Sequence, residues 1–145
     1  MFSKKIRKIS PCCRGSAVIE FALVLPILLL ILFGIIEFSI ALYDKSVITN
    51  ASREAARAGI LSRNTPLTEA QIRQVALNYC ADRLISFSAS STDPIVSVLK
   101  PQAPTTSDPL EVLVTFQYTG FGIGRLFANL SGPIELSATT VMAYE

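Results

Sequence analysis

From Phe21 to Ile36 the chain carries no charged residue, and Glu20 and Glu37 close the run at either end. Leu, Ile and Val fill it. In lipid such a segment has to be a helix, because only a helix satisfies its backbone groups internally. The two glutamates stand 17 positions apart, which is about 26 Å at the helical rise and close to the roughly 30 Å thickness of a hydrocarbon core. Both carboxylates can therefore sit at membrane borders. Pro26 and Gly34 interrupt the run. Pro26 removes one backbone donor and tends to kink or open the helix. It reads equally as a tolerated transmembrane proline and as a weak point that lets the segment stretch when helices pack.

Charge is distributed around this run in a way that orients it. Residues 1–15 hold Lys4, Lys5, Arg7, Lys8 and Arg14 and no acid, whereas the remainder has eight bases and eleven acids. With Lys45 the only base close beyond the span, the positive-inside rule places the N-terminus in the cytoplasm and the rest of the chain outside the inner membrane. An acidic distal part also argues against nucleic-acid binding, which needs its basic footprint on the docking domain. A secretory signal has its apolar region before the cleavage site. Here a basic leader ending in Gly15 precedes the apolar region, so a cut at Gly15 would remove charges and leave the anchor in place.

The rest of the composition weakens an enzymatic reading. Histidine is absent, which removes the commonest metal ligand and the commonest general base at neutral pH. No metal site or cofactor is expected, and Ser, Cys80, Lys45 and Lys100 show no recognisable catalytic partner. Glu20 and Glu37 are too far apart on one helix to act as paired acid and base. Cys12 and Cys13 lie in the leader without the upstream apolar stretch that lipidation requires. Cys80 reads as a small buried residue in preference to an intermolecular disulfide.

The helical pattern continues past Glu37. Ile40, Tyr43 or Asp44, Val47, Ala51, Ala55 and Ala58 recur at spacings of three and four. One helix is predicted from about Ser16 to about Ala58, roughly 65 Å long, capped by Gly59, with residues 17–38 crossing the membrane. Its Ala51, Ala55 and Ala58 edge is small enough for close approach. After the polar link 62–65, a second helix is expected from Pro66 to about Leu84, with Ile72, Val75, Ala76, Tyr79 and Cys80 as its stripe. Ser86 to Asp93 reads as a linker. Three strands follow at Ile95 to Leu99, Leu110 to Tyr118 and Ile134 to Tyr144. Val112, Val114, Phe116 and Tyr118 share one face of the second, and Leu136, Ala138, Thr140 and Met142 one face of the third. The fold class is α+β. The Gly120-x-Gly122-x-Gly124 spacing lacks the strand, helix and acid of a dinucleotide site and reads as an apolar loop, with Phe121, Ile123, Leu126 and Phe127 suited to capping the domain or meeting a neighbour.

The run Gly15-Ser16-Ala17-Val18-Ile19-Glu20-Phe21 matches a prepilin cleavage pattern. Together with Glu20 to Pro26, Phe33 to Phe38, the Thr49-Asn50-Ala51-Ser52-Arg53-Glu54-Ala55-Ala56-Arg57 run and the closing Val141 to Glu145, it resembles TadE-like and TadG-like pseudopilins. The resemblance implies a pilin-like fold. Residues 1–15 would be a leader removed after Gly15 by a membrane prepilin peptidase, 16–60 the long helix, and 61–145 a periplasmic domain. Ser16 would be the mature N-terminus and Glu20, followed by Phe21, the acid at the fifth mature position. Pro26, Gly34, Glu37, Ala51, Ala55 and Ala58 would serve helix packing. The implied role is that of a minor pilin in the tight-adherence (Flp) type IVb pilus, active in adhesion and biofilm formation. Its partners would be other pilins and pseudopilins, an inner-membrane assembly platform and the lipid bilayer. The alternative is an unprocessed, single-pass periplasmic binding or adaptor protein. A border glutamate is costly unless paired, and we expect Glu20 to meet the Ser16 α-amine of a staggered neighbouring subunit.

Overall fold

The computed structural model describes residues 13–61, 67–87, 93–100, 108–121 and 132–144. The basic leader through Cys12, the 62–66 link with Pro66, and the Gly122, Ile123, Gly124, Leu126 and Phe127 positions fall outside them. The elements are α1 (Cys13–Ile60), α2 (Glu69–Cys80), β1 (Ile95–Leu99), β2 (Pro109–Tyr118) and β3 (Ile134–Ala143). The fold is α+β: a long N-terminal helix, apolar in its first half, a second helix and three antiparallel strands.

β2 is the central strand of a sheet ordered β1-β2-β3, with both neighbours antiparallel to it. The alternation expected of β2 is realised, with Leu110, Val112, Val114, Phe116 and Tyr118 all turned inward. Across the ladder Val96 faces Val114, Leu136 faces Phe116, and Ala138 faces Val114 from the other side. The second half of α1 covers β2 and β3, and α2 packs beside it over β1. One face of the sheet is thus roofed by two helices. The other carries Glu111, Thr115, Ser137 and Thr139, the polar alternation of a one-sided sheet.

α1 buries a wider strip than a single line of small residues. Asp44, Val47, Ile48, Ala51, Ser52, Ala55, Ala56 and Gly59 are all buried, because the helix touches α2 on one flank and the strands on the other. Between the two candidates Tyr43 and Asp44 it is the acid that turns inward, while Tyr43 stays exposed. Ala58 is only half-buried. Ser52 is tolerated in the core because its hydroxyl bonds the Thr49 carbonyl at 2.9 Å and the Thr140 hydroxyl at 2.7 Å. Gly59 is not a cap. It lies within the helix, against Leu110 and Ile72.

α2 is shorter at both ends than the expected span from Pro66 to about Leu84. Thr68 is extended (φ −74°, ψ 159°) and closes a reciprocal capping box with Gln71, which starts the helix at Glu69. At the other end Ala81 leaves the helical region (φ −55°, ψ 135°) and Asp82 follows in a left-handed conformation, φ 59°, so the helix closes at Cys80. Ile72, Ala76 and Cys80 are buried. β3 ends at Ala143, one residue before Tyr144.

Candidate functional site

The first half of α1 stands clear of the domain. From Gly15 to Phe33 nearly every residue is exposed, Val18, Ile19, Phe21, Leu23 and Ile27 among them. This is one helix long and apolar enough to cross a membrane. Pro26 lies inside it, where the Ala22 carbonyl loses its usual donor. A Cβ at Gly34 would meet nothing within 4 Å. Ser39 returns its hydroxyl to the Ile35 carbonyl at 2.8 Å, so this polar side chain is satisfied within the helix.

At the N-terminal end, Gly15, Ser16, Glu20 and Phe21 are all exposed. Helical spacing brings two of them together: the Ser16 hydroxyl donates to the Glu20 Oε1 at 3.3 Å. Gly15 has open space around it, and the helix runs unbroken from Cys13 through the Gly15–Ser16 bond. Ala51 and Ala55 lie far from this group, buried in the domain core. What approaches their backbone is the chain's own sheet and α2.

Where α1 enters the domain, Glu37 is half-buried and its carbonyl accepts the Tyr118 hydroxyl at 3.4 Å. Asp44, two turns on, is fully buried. Its Oδ1 accepts the Ile85 amide at 3.0 Å, while Oδ2 is buried without a hydrogen-bond partner. Burial pushes the Asp44 carboxyl up, and the Ile85 bond only partly opposes this. Burial likewise raises the Tyr118 hydroxyl, with Glu37 and Asp44 adding to the effect. The sequence contains little to separate Asp44 from Tyr43. The deciding contact comes from Ile85, 41 residues away.

The two lysines considered as catalytic candidates are tied to backbone. Lys45 donates to the Ser137 carbonyl, and Lys100 to the Leu67 carbonyl at 2.7 Å. Cys80 is a free thiol in the core, pushed up by burial although Arg83 acts against that, which keeps it a weak nucleophile. A hollow of about 470 Å³ lies beside it, lined by Gln74, Asn78, Asp82 and Asp93 among others. Among the described residues that line it, none is basic. Among the described residues, no three His, Cys, Asp or Glu side chains are grouped to hold a metal ion.

Residues 15–57 match the model of the TadE-like protein family. The TadE-like segment covers a little under a third of the chain. It begins at the glycine of the exposed Ser16–Glu20 group and ends within the buried half of α1, so it takes in both the free and the packed parts of the long helix. No curated protein and no solved structure matches the chain.

Proposed function

We propose that this protein is a minor pilin or pseudopilin of a tight-adherence (Flp) type IVb pilus system. It is held in the inner membrane by residues 17–38, with the basic leader in the cytoplasm and the α+β domain in the periplasm. A prepilin peptidase removes residues 1–15. The freed helix then packs with those of other pilins and pseudopilins on the inner-membrane platform, and the assembled fibre serves adhesion and biofilm formation. The observation that carries this reading is the division of α1 within the TadE-like segment. Its second half is consumed by the chain's own core, while the first half presents an unpartnered apolar surface with Ser16 and Glu20 adjacent at its tip. Such a surface suits lipid first and neighbouring helices afterwards, since close packing replaces lipid contacts without needing a hydrophobic driving force.

The test is the mature N-terminus. Intact-mass and N-terminal sequencing of the membrane-extracted protein are expected to find Ser16 first in cells that contain a prepilin peptidase, and Met1 in cells that lack it. A second reading, an uncut anchored adaptor, draws support from the unbroken helix across the Gly15–Ser16 bond, because a protease needs its scissile peptide extended. Met1 retained in peptidase-containing cells would decide for that reading.

A further inference from the structure

The domain end from which the apolar half of α1 emerges is itself apolar on its surface. Four connections define it. The Tyr118 hydroxyl meets the Glu37 carbonyl, Tyr118 pairs with Ile134 across the sheet, the Phe87 amide donates to the Thr119 carbonyl at 3.3 Å, and the Ile85 amide donates to Asp44. Together they bring the end of β2, the start of β3 and the segment after α2 to the level of residues 37–45 of α1. Exposed at that level are Phe38, Leu42, Ile85, Phe87, Phe121 and Ile134, with Phe121 at 66 % and Ile134 at 49 %. Phe87 and Phe121 pack against each other with ring centroids 5.3 Å apart and planes tilted by 58°. Between α1 and the start of β3 runs a groove of about 340 Å³ lined by Phe38, Ala41, Leu42, Lys45 and the 134–137 segment.

We infer that this end of the domain is a bilayer-contacting collar, with Phe87, Phe121 and Ile134 seated among lipid headgroups and upper acyl chains around the exit of α1. The inference rests on the reading that residues 17–38 span a membrane, and it goes beyond that reading by assigning a lipid contact to the domain. Continuity identifies the occupant. Phe38 and Leu42 extend the apolar surface of the span without a break, so whatever covers the last turn of the span also reaches Ile134 and the groove. Phe and Leu side chains on an exposed apolar face bury at the headgroup–acyl boundary of a bilayer, and Tyr43, exposed at the same level of α1, is of a type enriched at membrane–water interfaces. Other exposed apolar residues, Leu99 and Val141, lie on the open sheet face beside Glu111 and are not continuous with the helix. Lys45 and Glu135 at the groove carry opposite charges and Glu37 adds an acid beside Phe38, so this end has no excess of positive charge to draw anionic lipid and the contact is with zwitterionic lipid. Such a seat fixes the tilt of the domain on the membrane, where a bare helical stalk would leave it free.

The chain contains no tryptophan, which makes the test direct. Full-length Phe121→Trp, Ile134→Trp, Leu28→Trp and Val141→Trp variants are reconstituted separately into phosphatidylcholine vesicles carrying bromine either just below the headgroup or deep in the acyl chain. The Phe121→Trp and Ile134→Trp variants are expected to lose emission to shallow bromine and Leu28→Trp to deep bromine, with Val141→Trp unaffected. Quenching of Leu28→Trp without quenching of the Phe121→Trp and Ile134→Trp variants overturns the collar and leaves the anchor standing. Absence of deep quenching for Leu28→Trp overturns both. Shallow quenching of Val141→Trp also overturns the collar, since the domain would then lie on its sheet face.

Discussion

Gly59 lies so close to Leu110 that a methyl group on its Cα would overlap Leu110 Cδ2 and come within 2.9 Å of Ile72 Cδ1. Leu110 and Ile72 are themselves fully buried, so neither can swing into solvent to make room. This contact sets the distance between the last turn of α1, the start of β2 and the first turn of α2. Overpacking costs about 1–3 kcal/mol, and alanine recovers about 1 kcal/mol of helix propensity over glycine. Gly59→Ala is therefore expected to destabilise by about 1 kcal/mol, and Gly59→Val by more. Unfolding of the detergent-solubilised full chain, followed by far-ultraviolet circular dichroism, checks this. A raised midpoint for Gly59→Ala would show that the contact relaxes freely.

Asp44 ties stability to pH. Its carboxyl is raised by burial, so the folded chain keeps its proton to a higher pH than the unfolded chain does. Stability from this group is complete below the unfolded value of about 4 and falls as pH rises through the folded value, after which it levels off. Asp44→Asn retains an acceptor for the Ile85 amide and removes the buried charge. It is expected to stabilise by about 1 kcal/mol at neutral pH and to converge with the parent below pH of about 4. The same change should lower the titration midpoint of the Tyr118 hydroxyl, which Asp44 helps to raise. Denaturant titrations across pH and ultraviolet titration of tyrosine read the two effects independently. Equal stability of parent and variant at every pH would mean that Asp44 reaches water.

The α2 capping box offers a local test. The Gln71 amide donates to Thr68 Oγ1 at 3.3 Å and the Thr68 amide to Gln71 Oε1 at 2.9 Å. Thr68→Ala is expected to cost about 1 kcal/mol and Thr68→Ser less, as befits an N-cap. Hydrogen exchange of the Gln71 and Ile72 amides should accelerate in Thr68→Ala ahead of global unfolding. Unchanged protection there would show that Glu69 starts the helix without the cap.

Most of the architecture can be read from periodicity, and the exceptions share a cause. β1 and β2 declare themselves because one face of each alternates against a single roof of helices. The packed face of α1 is harder, since a helix touched on two flanks buries Ile48, Ser52 and Ala56 besides the expected line. Gly59 follows the pattern of a helix-ending glycine, yet its role is set by Leu110 and Ile72, which are distant in sequence. Asp44 presents the same difficulty, because the amide it serves belongs to Ile85. Thr68-x-x-Gln71 closes a capping box that starts α2 at Glu69, whereas the expected start at Pro66 rests on the fixed φ of proline alone. At the candidate site, the Gly15, Ser16 and Glu20 spacing is local and so is visible in sequence. The membrane-side collar is not, since it assembles Phe38, Phe87, Phe121 and Ile134 from four separate stretches.

Glu20 is where the proposed assembly step can be examined. The Ser16 hydroxyl already reaches Glu20 within one helix, and cleavage after Gly15 would place an α-amine on that same Ser16. At a membrane border the carboxylate is costly unless neutralised, and an amine supplied by a staggered neighbour would neutralise it while setting helix register. Glu20→Ala is therefore expected to leave cleavage intact and sharply reduce the fraction of subunit recovered in sheared pili relative to the membrane. Ser16→Ala retains the amine and loses only the hydroxyl, so its incorporation should stay near that of the parent. Quantitative immunoblots of the two fractions separate the cases. If Ser16→Ala fails as Glu20→Ala does, the hydroxyl bond within one helix is the interaction that matters. If Glu20→Ala is incorporated normally, Glu20 has no part in assembly.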